Sequence, residues 1–525
     1  HRPGMAAFSL TDYHRRRRQG GESRDAFPLS PLSCGSPTDV YREAFPLSPL
    51  FCTSPVEFIR EDIVHRNVRQ VRAEYEFEDS LGKGNFGQVH KALHSRTGVR
   101  RAIKEIPKSG TETEEFEWEL QALVALDHPH IVQVIEWFVD EDNYYIIMEL
   151  CSGPDLQTFI IECVESEEKQ VSERAASIIL RQCLKAVLCC HAHDFVHRDL
   201  NARNFMMTGT DRSVKLIDFG LAKRFRGYMP KDKFIEIVGT SHYMAPELML
   251  EGEFSPAVDI WSLGVLFYVL LTGMMLLPKD DERKRRLLKK EGYINRRLRN
   301  CKVLQSRGLS PNAQNLLDHM LQQEPEARIS ASDALSHPFI VGCWHDHLGD
   351  SPVTEVEFDP DVIAKFRKFA KAPRLKKLAS LTMAHLAEHD RVLAVARQMF
   401  REIDADGDGQ IQFTELKRGL SARGLQVSED MSEIFAACGG TRSGGLSYME
   451  FVACMLPESL IDERLCHEAF NLLDAERKGR LDARDLNALF PSCEIEKCEQ
   501  MVLQAAPGGK GSFDFEDFDG LGTLL

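Results

Sequence analysis

Although it carries 14 cysteines, the 525-residue chain has no CxxC pair and no Cys/His spacing of the kind that holds zinc. Thiols scattered in this way serve as small apolar packing residues, which points to a protein kept reduced in the cytoplasm. No apolar run reaches the roughly 18 residues needed to cross a bilayer. The longest candidate, residues 260–277, is broken by Ser262, Gly264, Thr272 and Gly273 and reads as a buried helix. An excess of positive charge is missing too: a net charge of −15 argues against a nucleic-acid binder, which needs a basic face. Basic residues gather instead in three stretches, 11–24, 282–300 and 365–377. Met5 is followed by Ala6 rather than glycine, so no myristoylation signal is expected at that methionine.

Four regions follow from composition. Residues 1–60 are rich in proline and serine, and Ala-Phe-Pro-Leu-Ser-Pro-Leu occurs twice, 18 residues apart. Such a segment cannot bury enough apolar surface to fold and is expected to be a disordered extension. Ser30, Ser36, Ser48 and Ser54 each precede proline there, which suits docking or phosphorylation. Residues 75–340 alternate strand-like and helical patterns, as in a two-lobed α+β enzyme. Residues 341–386 make a connector and a basic junction. Residues 387–525 are helical, with Gly-rich loops about 32–35 residues apart, the mark of repeated units.

The second region handles phosphate. Leu81-Gly-Lys-Gly-Asn-Phe-Gly-Gln-Val89 places Gly82, Gly84 and Gly87 in a strand–turn–strand where backbone must approach phosphates closely. Fifteen residues after Val89 stands Lys104, which can hold the α and β phosphates if an acid fixes its ammonium. Glu119 is the candidate, with Glu112, Glu114, Glu115 and Glu117 as rivals. His197-Arg-Asp-Leu-Asn-Ala-Arg-Asn204 offers Asp199 as proton acceptor for a substrate hydroxyl and Asn204 as a metal ligand, and Asp218-Phe-Gly220 adds a second ligand. One carboxylate and one amide suffice for Mg²⁺ around a triphosphate, because that ion keeps its waters. Ala245-Pro-Glu247 closes the series.

These motifs, in this order, resemble those of eukaryotic protein kinases over residues 75–340. The resemblance implies an ATP site between two lobes, framed by Leu81 and Val89, with Met148 as gatekeeper, a hinge from Glu149 to Cys151, and Asp155 near the ribose. It further implies that Asp259 supports the catalytic loop and that Arg328 pairs with Glu247. One position departs from the serine/threonine pattern: Asn201 stands where a lysine is usual, two residues after Asp199. Arg203 is the candidate to supply the missing charge. No Ser or Thr occurs between Asp218 and Thr240, and Glu236 is the candidate anion for Arg198, a built-in substitute for a phosphothreonine.

The fourth region handles calcium. Residues 404–415 satisfy D-x-[DN]-x-[DN]-G-x5-E at every position. Asp404, Asp406 and Asp408 aim carboxylates inward, Gly409 allows the sharp turn, the Gln410 carbonyl can ligate, and Glu415 can clamp with both oxygens. Later loops decay. The second has Gly439, Thr441 and Ser443 at its first, third and fifth positions; the third keeps Asp474, Glu476, Asp482 and Asp485 but has Lys478 at its fifth, and remains a possible second site; the fourth has Ala506, Gly508 and Lys510. Apolar eighth positions persist in all four (Ile411, Leu446, Leu481 and Phe513) and suit short strand pairing between loops.

Between kinase and loops, Lys365, Arg367, Lys368, Lys371, Arg374, Lys376 and Lys377 alternate with Val362, Ile363, Phe366, Phe369, Leu375, Leu378 and Leu381. A basic amphipathic helix of this kind is gripped by EF-hand proteins and can plug an acidic kinase cleft. Pro373 is expected to split it. Kinase, basic junction and four EF-hand-like units in that order resemble the calcium-dependent protein kinases of plants and protists. The fold class expected is thus α+β, a bilobal kinase followed by an all-α EF-hand domain. The resemblance implies a monomeric serine/threonine kinase that uses ATP, Mg²⁺ and Ca²⁺, acts on protein substrates, and is autoinhibited by the junction until its own EF-hand domain grips it. Asn201 keeps open a pseudokinase scaffold, and the degenerate loops keep open control by separate calmodulin.

Overall fold

The computed structural model describes residues 63–64, 66–67, 69–83, 87–109, 111, 113–165, 171–208, 213–225, 239–250, 255–345, 359–387, 391–439, 444–474, 478–489, 494–505 and 511–523. The N-terminal repeats, Gly84 and Glu236 lie outside these residues, as do Glu112, Thr441, Ser443, Glu476, Ala506, Gly508 and Lys510.

The N-terminal lobe is an antiparallel sheet in the order β1-β2-β3-β5-β4, with β1 Tyr75–Lys83, β2 Gln88–His94, β3 Arg100–Pro107, β4 Val134–Val139 and β5 Asn143–Glu149. β5 lies inside the sheet, between β3 and β4, because Tyr-Tyr-Ile-Ile-Met leaves no polar face to present to water, and it is buried on both sides. Helix α1, Thr113–Ala125, is amphipathic: Phe116, Leu120 and Leu123 join the kinase core, while Glu114 and Glu115 face solvent. The C-terminal lobe is built on α2, Glu173–Ala192, and α3, Ala257–Thr272. Ser172 caps α2 by accepting a hydrogen bond from the Ala175 N–H, and Gly273 ends α3 in the left-handed region at φ 67°. By length and composition α2 could cross a membrane, yet Leu180, Cys183, Leu184 and Val187 are wholly buried in the lobe. Each such buried leucine contributes roughly 1.5–3 kcal/mol by leaving water.

Beyond the connector the junction splits into α4, Val362–Lys371, and α5, Arg374–Ala387. The break falls at Ala372, whose extended backbone is what a following proline imposes. The rest is the EF-hand domain: α6 Ala394–Ile403, α7 Phe413–Ala422, α8 Met431–Cys438, α9 Tyr448–Cys454 and α10 Glu463–Leu473, then helices Ala483–Leu489, Ile495–Ala505 and Phe515–Thr523. Four short strands tie the loops in pairs, with Ile411 opposite Leu446 and Leu481 opposite Phe513. This region is therefore helical with two minimal sheets, because the apolar eighth positions pack across each pair.

Val362, Phe366, Phe369, Leu375 and Leu378 of the junction share one buried core with the EF-hand helices. Its basic groups also meet that domain: Arg367 pairs with Asp430 at 2.9 Å, Lys368 with Glu458 at 2.7 Å, and Lys377 Nζ donates to the Ala437 carbonyl at 2.6 Å. The domain in turn sits against the kinase. His385 meets the Gln133 amide at 2.8 Å, the Met449 N–H donates to Asp127 at 2.9 Å, and Arg101 donates to the Leu386 carbonyl at 3.1 Å.

Candidate functional site

Lys104 lies on β3 between Val89 and Ile146 of the neighbouring strands, so its side chain leaves the sheet toward the cleft. Its Nζ donates to Glu119 at 2.5 Å and to Asp218 at 2.9 Å. Burial opposes the ammonium, but the Asp218 and Glu119 carboxylates hold its pKa above the ordinary lysine value. Burial likewise raises Glu119 despite Lys104, whereas Lys104 and the Gly220 N–H outweigh burial at Asp218 and lower it. Of the acids on α1, Glu119 is the buried one. The rim of the cleft is formed by β1 and β2, where Gly82 pairs with Val89 and Leu81 is exposed. Gly87 must be glycine, since a Cβ there would lie 2.1 Å from the Glu105 carbonyl oxygen.

The catalytic loop hangs on Asp259, which is fully buried and accepts from the backbone N–H of His197 and of Arg198, each at 2.9 Å, with the His191 ring at the same distance. Arg328 reaches Glu247 through two bonds of 2.7 and 3.1 Å. Asp199 accepts from the Thr240 N–H at 2.6 Å and from Asn204 Nδ2 at 3.2 Å. The second bond commits the Asn204 NH₂ to Asp199, so the amide oxygen is the atom left for a metal. Gly239 brings the activation segment this close: a Cβ there would stand 2.7 Å from the Arg198 carbonyl oxygen, at φ 107°.

Three side chains sit differently from the sequence expectation. Arg203 is exposed, and its Nε donates to Gln157 at 2.9 Å, so the guanidinium lies along the helix Leu156–Glu165 rather than on Asp199. Asn201 takes the inner place: its Nδ2 donates to the Asp199 carbonyl at 3.1 Å and to Thr240 Oγ1 at 3.2 Å. A short amide bridges loop and activation segment where a lysine would have placed a charge. Glu149 turns its carboxylate inward onto Lys215, at 2.7 and 2.8 Å, so only its backbone can serve a hinge. Cys151 is half-buried beside it, and Asp155 accepts from the Thr158 N–H at 2.8 Å.

At the calcium loop, ligand atoms of Asp404, Asp406 and Asp408 lie within 4.8 Å of one another. Glu415 accepts from the N–H groups of Ala405 at 2.9 Å and Gln412 at 3.0 Å, which locks it across the loop. The Gln410 N–H donates to Asp408, and its short strand pairs with Ser447. Burial together with the neighbouring carboxylates raises Asp404 and Asp408 to about 6. Asp404 Oδ2 is buried and accepts no hydrogen bond. Converging carboxylates, one of them with a buried oxygen that meets only the Lys185 ammonium at 3.5 Å, fit a hard divalent cation such as Ca²⁺. The third loop differs: Lys478 Nζ lies 2.8 Å from Asp485 and 3.5 Å from Asp482, so an ammonium already neutralises the oxygens that would hold an ion.

Lys185 on α2 escaped the sequence reading, although it meets the first loop. Its one sequence signal is a lysine inside an apolar helical run, Leu184-Lys-Ala-Val187. Lys215, Gln133 and His385 carry no local signal, because their partners are distant in sequence.

Residues 75–340 match the protein kinase domain family and residues 395–423 the EF hand domain family. Calcium-dependent protein kinase 22 of Arabidopsis thaliana is 30% identical over 477 residues, spanning 87% of this chain and 92% of its own. Calcium-dependent protein kinase 3 of Plasmodium berghei is 29% identical over 455 residues, spanning 84% and 78%, and calcium-dependent protein kinase 9 of Oryza sativa subsp. japonica is 33% identical over 438, spanning 81% and 72%. With a kinase fold, an intact calcium loop and relatives alike along 72–92% of their own length, the chain belongs to the calcium-dependent protein kinase family.

Proposed function

We propose that this chain transfers the γ-phosphate of ATP to serine and threonine hydroxyls of proteins, and that calcium at residues 404–415 controls the transfer. The observation that carries the catalytic half is the closed set Lys104–Glu119–Asp218 in a cleft whose other wall holds Asp199. In this reading Lys104 orients the α and β phosphates. Asp199 accepts the proton of the substrate hydroxyl as its oxygen bonds to the γ phosphorus, and the bond to the bridging oxygen of ADP breaks. Mg²⁺, held by Asn204 and Asp218, would neutralise the phosphate charge. Thr240 and Asn204 fix the Asp199 carboxylate by their bonds to its two oxygens. Asn201 contributes a dipole where a cation is usual, so charge on the transferring group is met less fully, and slower turnover than in a lysine-bearing kinase is expected.

Control is read from the junction. Its apolar face and Arg367, Lys368 and Lys377 belong to the EF-hand domain in this structure. We read two arrangements of the junction, this one on the EF-hand domain and a restrained one with the same helices against the kinase cleft. Calcium then acts through its different affinity for the two arrangements. The proposal covers a monomer acting in the cytoplasm. The test is a peptide phosphorylation assay on the purified chain, with Ser, Thr and Tyr acceptors, in saturating calcium and in chelator. Ser/Thr transfer that requires calcium and falls about 10²–10⁴-fold in Asp199→Asn is expected; equal turnover in both buffers ends the regulatory half, and no loss in Asp199→Asn ends the catalytic half.

A further inference from the structure

Lys185 belongs to none of the kinase motifs. It sits in the middle of α2, flanked by fully buried Leu184 and Ala186, and is itself 2% exposed. A buried ammonium is strongly unfavourable unless oxygens surround it. Here those oxygens come from the EF-hand domain: Nζ donates to the Asp404 carbonyl at 2.6 Å and the Arg401 carbonyl at 3.4 Å, and lies 3.5 Å from Asp404 Oδ2. The aliphatic stem is fitted to the loop, since a Cβ at Gly407 would stand 2.6 Å from Lys185 Cγ. At the next glycine, a Cβ on Gly409 would stand 3.2 Å from the Asp127 carbonyl oxygen and from His128 Cδ2. The first calcium loop is thus pressed against the catalytic domain, and that domain places a positive charge on the carboxylate at the loop's first position.

We propose that Lys185 is a resident counter-cation of the first calcium loop, which lowers the loop's affinity for calcium and leaves Asp404 when calcium binds. The inference rests on the reading of residues 404–415 as the calcium site. Two effects act in the same direction. Without calcium, Asp404 is 1% exposed beside Asp406 and Asp408, and Lys185 is the ammonium that compensates it. With calcium, the ammonium is a like charge held next to a divalent ion in a poorly solvated place, where repulsion is little screened. Linkage then requires that whatever Lys185 removes from calcium affinity, calcium removes from the contact between loop and α2. The sensor's set point is therefore written partly in the catalytic domain.

The experiment is calcium titration of the full chain by isothermal calorimetry, for wild type, Lys185→Met, Lys185→Gln and Asp404→Ala. Methionine keeps the length and apolar stem, and glutamine keeps a polar head without charge. Both are expected to bind calcium about tenfold more tightly than wild type, while Asp404→Ala abolishes binding. In wild type, calcium is expected to speed amide exchange in residues 404–409. Affinity in both Lys185 variants equal to or weaker than wild type, with Asp404→Ala still abolishing binding, overturns the proposal and leaves the calcium reading intact. Unchanged exchange at 404–409 on calcium saturation also overturns it, independently of how the variants fold. Binding that survives Asp404→Ala overturns the calcium reading and this proposal together.

Discussion

The first and third loops of the EF-hand domain each hold a lysine ammonium against their carboxylates, and the two lysines come from different places. In the third loop Lys478 is the fifth residue of the loop itself, and its bonds to Asp485 and Asp482 are as permanent as the sequence. In the first loop the partner is Lys185, 219 residues away on the catalytic domain. Charge balance inside the third loop removes the need for an ion. Charge balance across a domain boundary leaves the need in place and makes it conditional on docking. One charge type thus silences a loop in one setting and couples it to an enzyme in the other.

Breaking the first loop has the largest expected effect. Asp404→Ala should take calcium binding below calorimetric detection, a loss of more than about 100-fold. It should also lower the unfolding midpoint, because it strands Lys185 as a buried unpaired charge, a loss of about 3–5 kcal/mol that adding Lys185→Met should largely reverse. Reviving the third loop comes next. Lys478→Asp with Asp485→Glu removes the internal ammonium and restores the longer clamp, and calcium stoichiometry should rise from one to two, with a new dissociation constant of about 10⁻⁵–10⁻⁴ M.

Acidity separates the loops in part. Asp404 and Asp408 are raised to about 6 by burial and mutual repulsion; in the third loop burial also raises Asp485, but at Asp482 the Arg484 N–H and Lys478 outweigh burial and hold it below the ordinary value. Protons therefore compete with calcium at the first loop, and its affinity should fall by roughly tenfold per unit as pH drops from 6 to 5. The sign for stability is opposite: carboxylates with raised folded pKa values stabilise the calcium-free fold at low pH and lose that contribution as pH rises through about 6. The smallest contrast is between matched glycines. Gly409 and Gly479 have φ of 89° and 73°, so alanine strains either by about 1 kcal/mol. Around Gly479 a Cβ meets nothing within 4 Å, whereas at Gly409 it meets Asp127 and His128. Thermal melts should show Gly409→Ala the costlier by roughly a further 1 kcal/mol.

Much of this was legible in sequence because it is local. The motif around Asp199, the pairing of Ile411 with Leu446, and the split at Pro373 follow from spacing and from the backbone habits of a few residue types. Glu119 could be told from Glu114, Glu115 and Glu117 only by burial, since all four carry the same group on one helix. Arg203 illustrates the converse: its position in the motif suggested a catalytic charge, but a long side chain can turn, and Gln157 offered it a partner at the surface. Lys185 was illegible for a simpler reason. Its meaning lies in a carboxylate on another domain, and no periodicity or spacing encodes that meeting.

Lys478 has a further consequence, for the shape of the dose–response curve. A sensor with two intact loops in partnership can sharpen its answer through cooperativity, whereas occupancy of a single loop runs from one-tenth to nine-tenths only over a roughly 80-fold range of free calcium. With an ammonium lodged among the oxygens of its third loop, this kinase is expected to act as a dimmer rather than an on–off switch, reporting how much calcium is present instead of whether a threshold has been crossed.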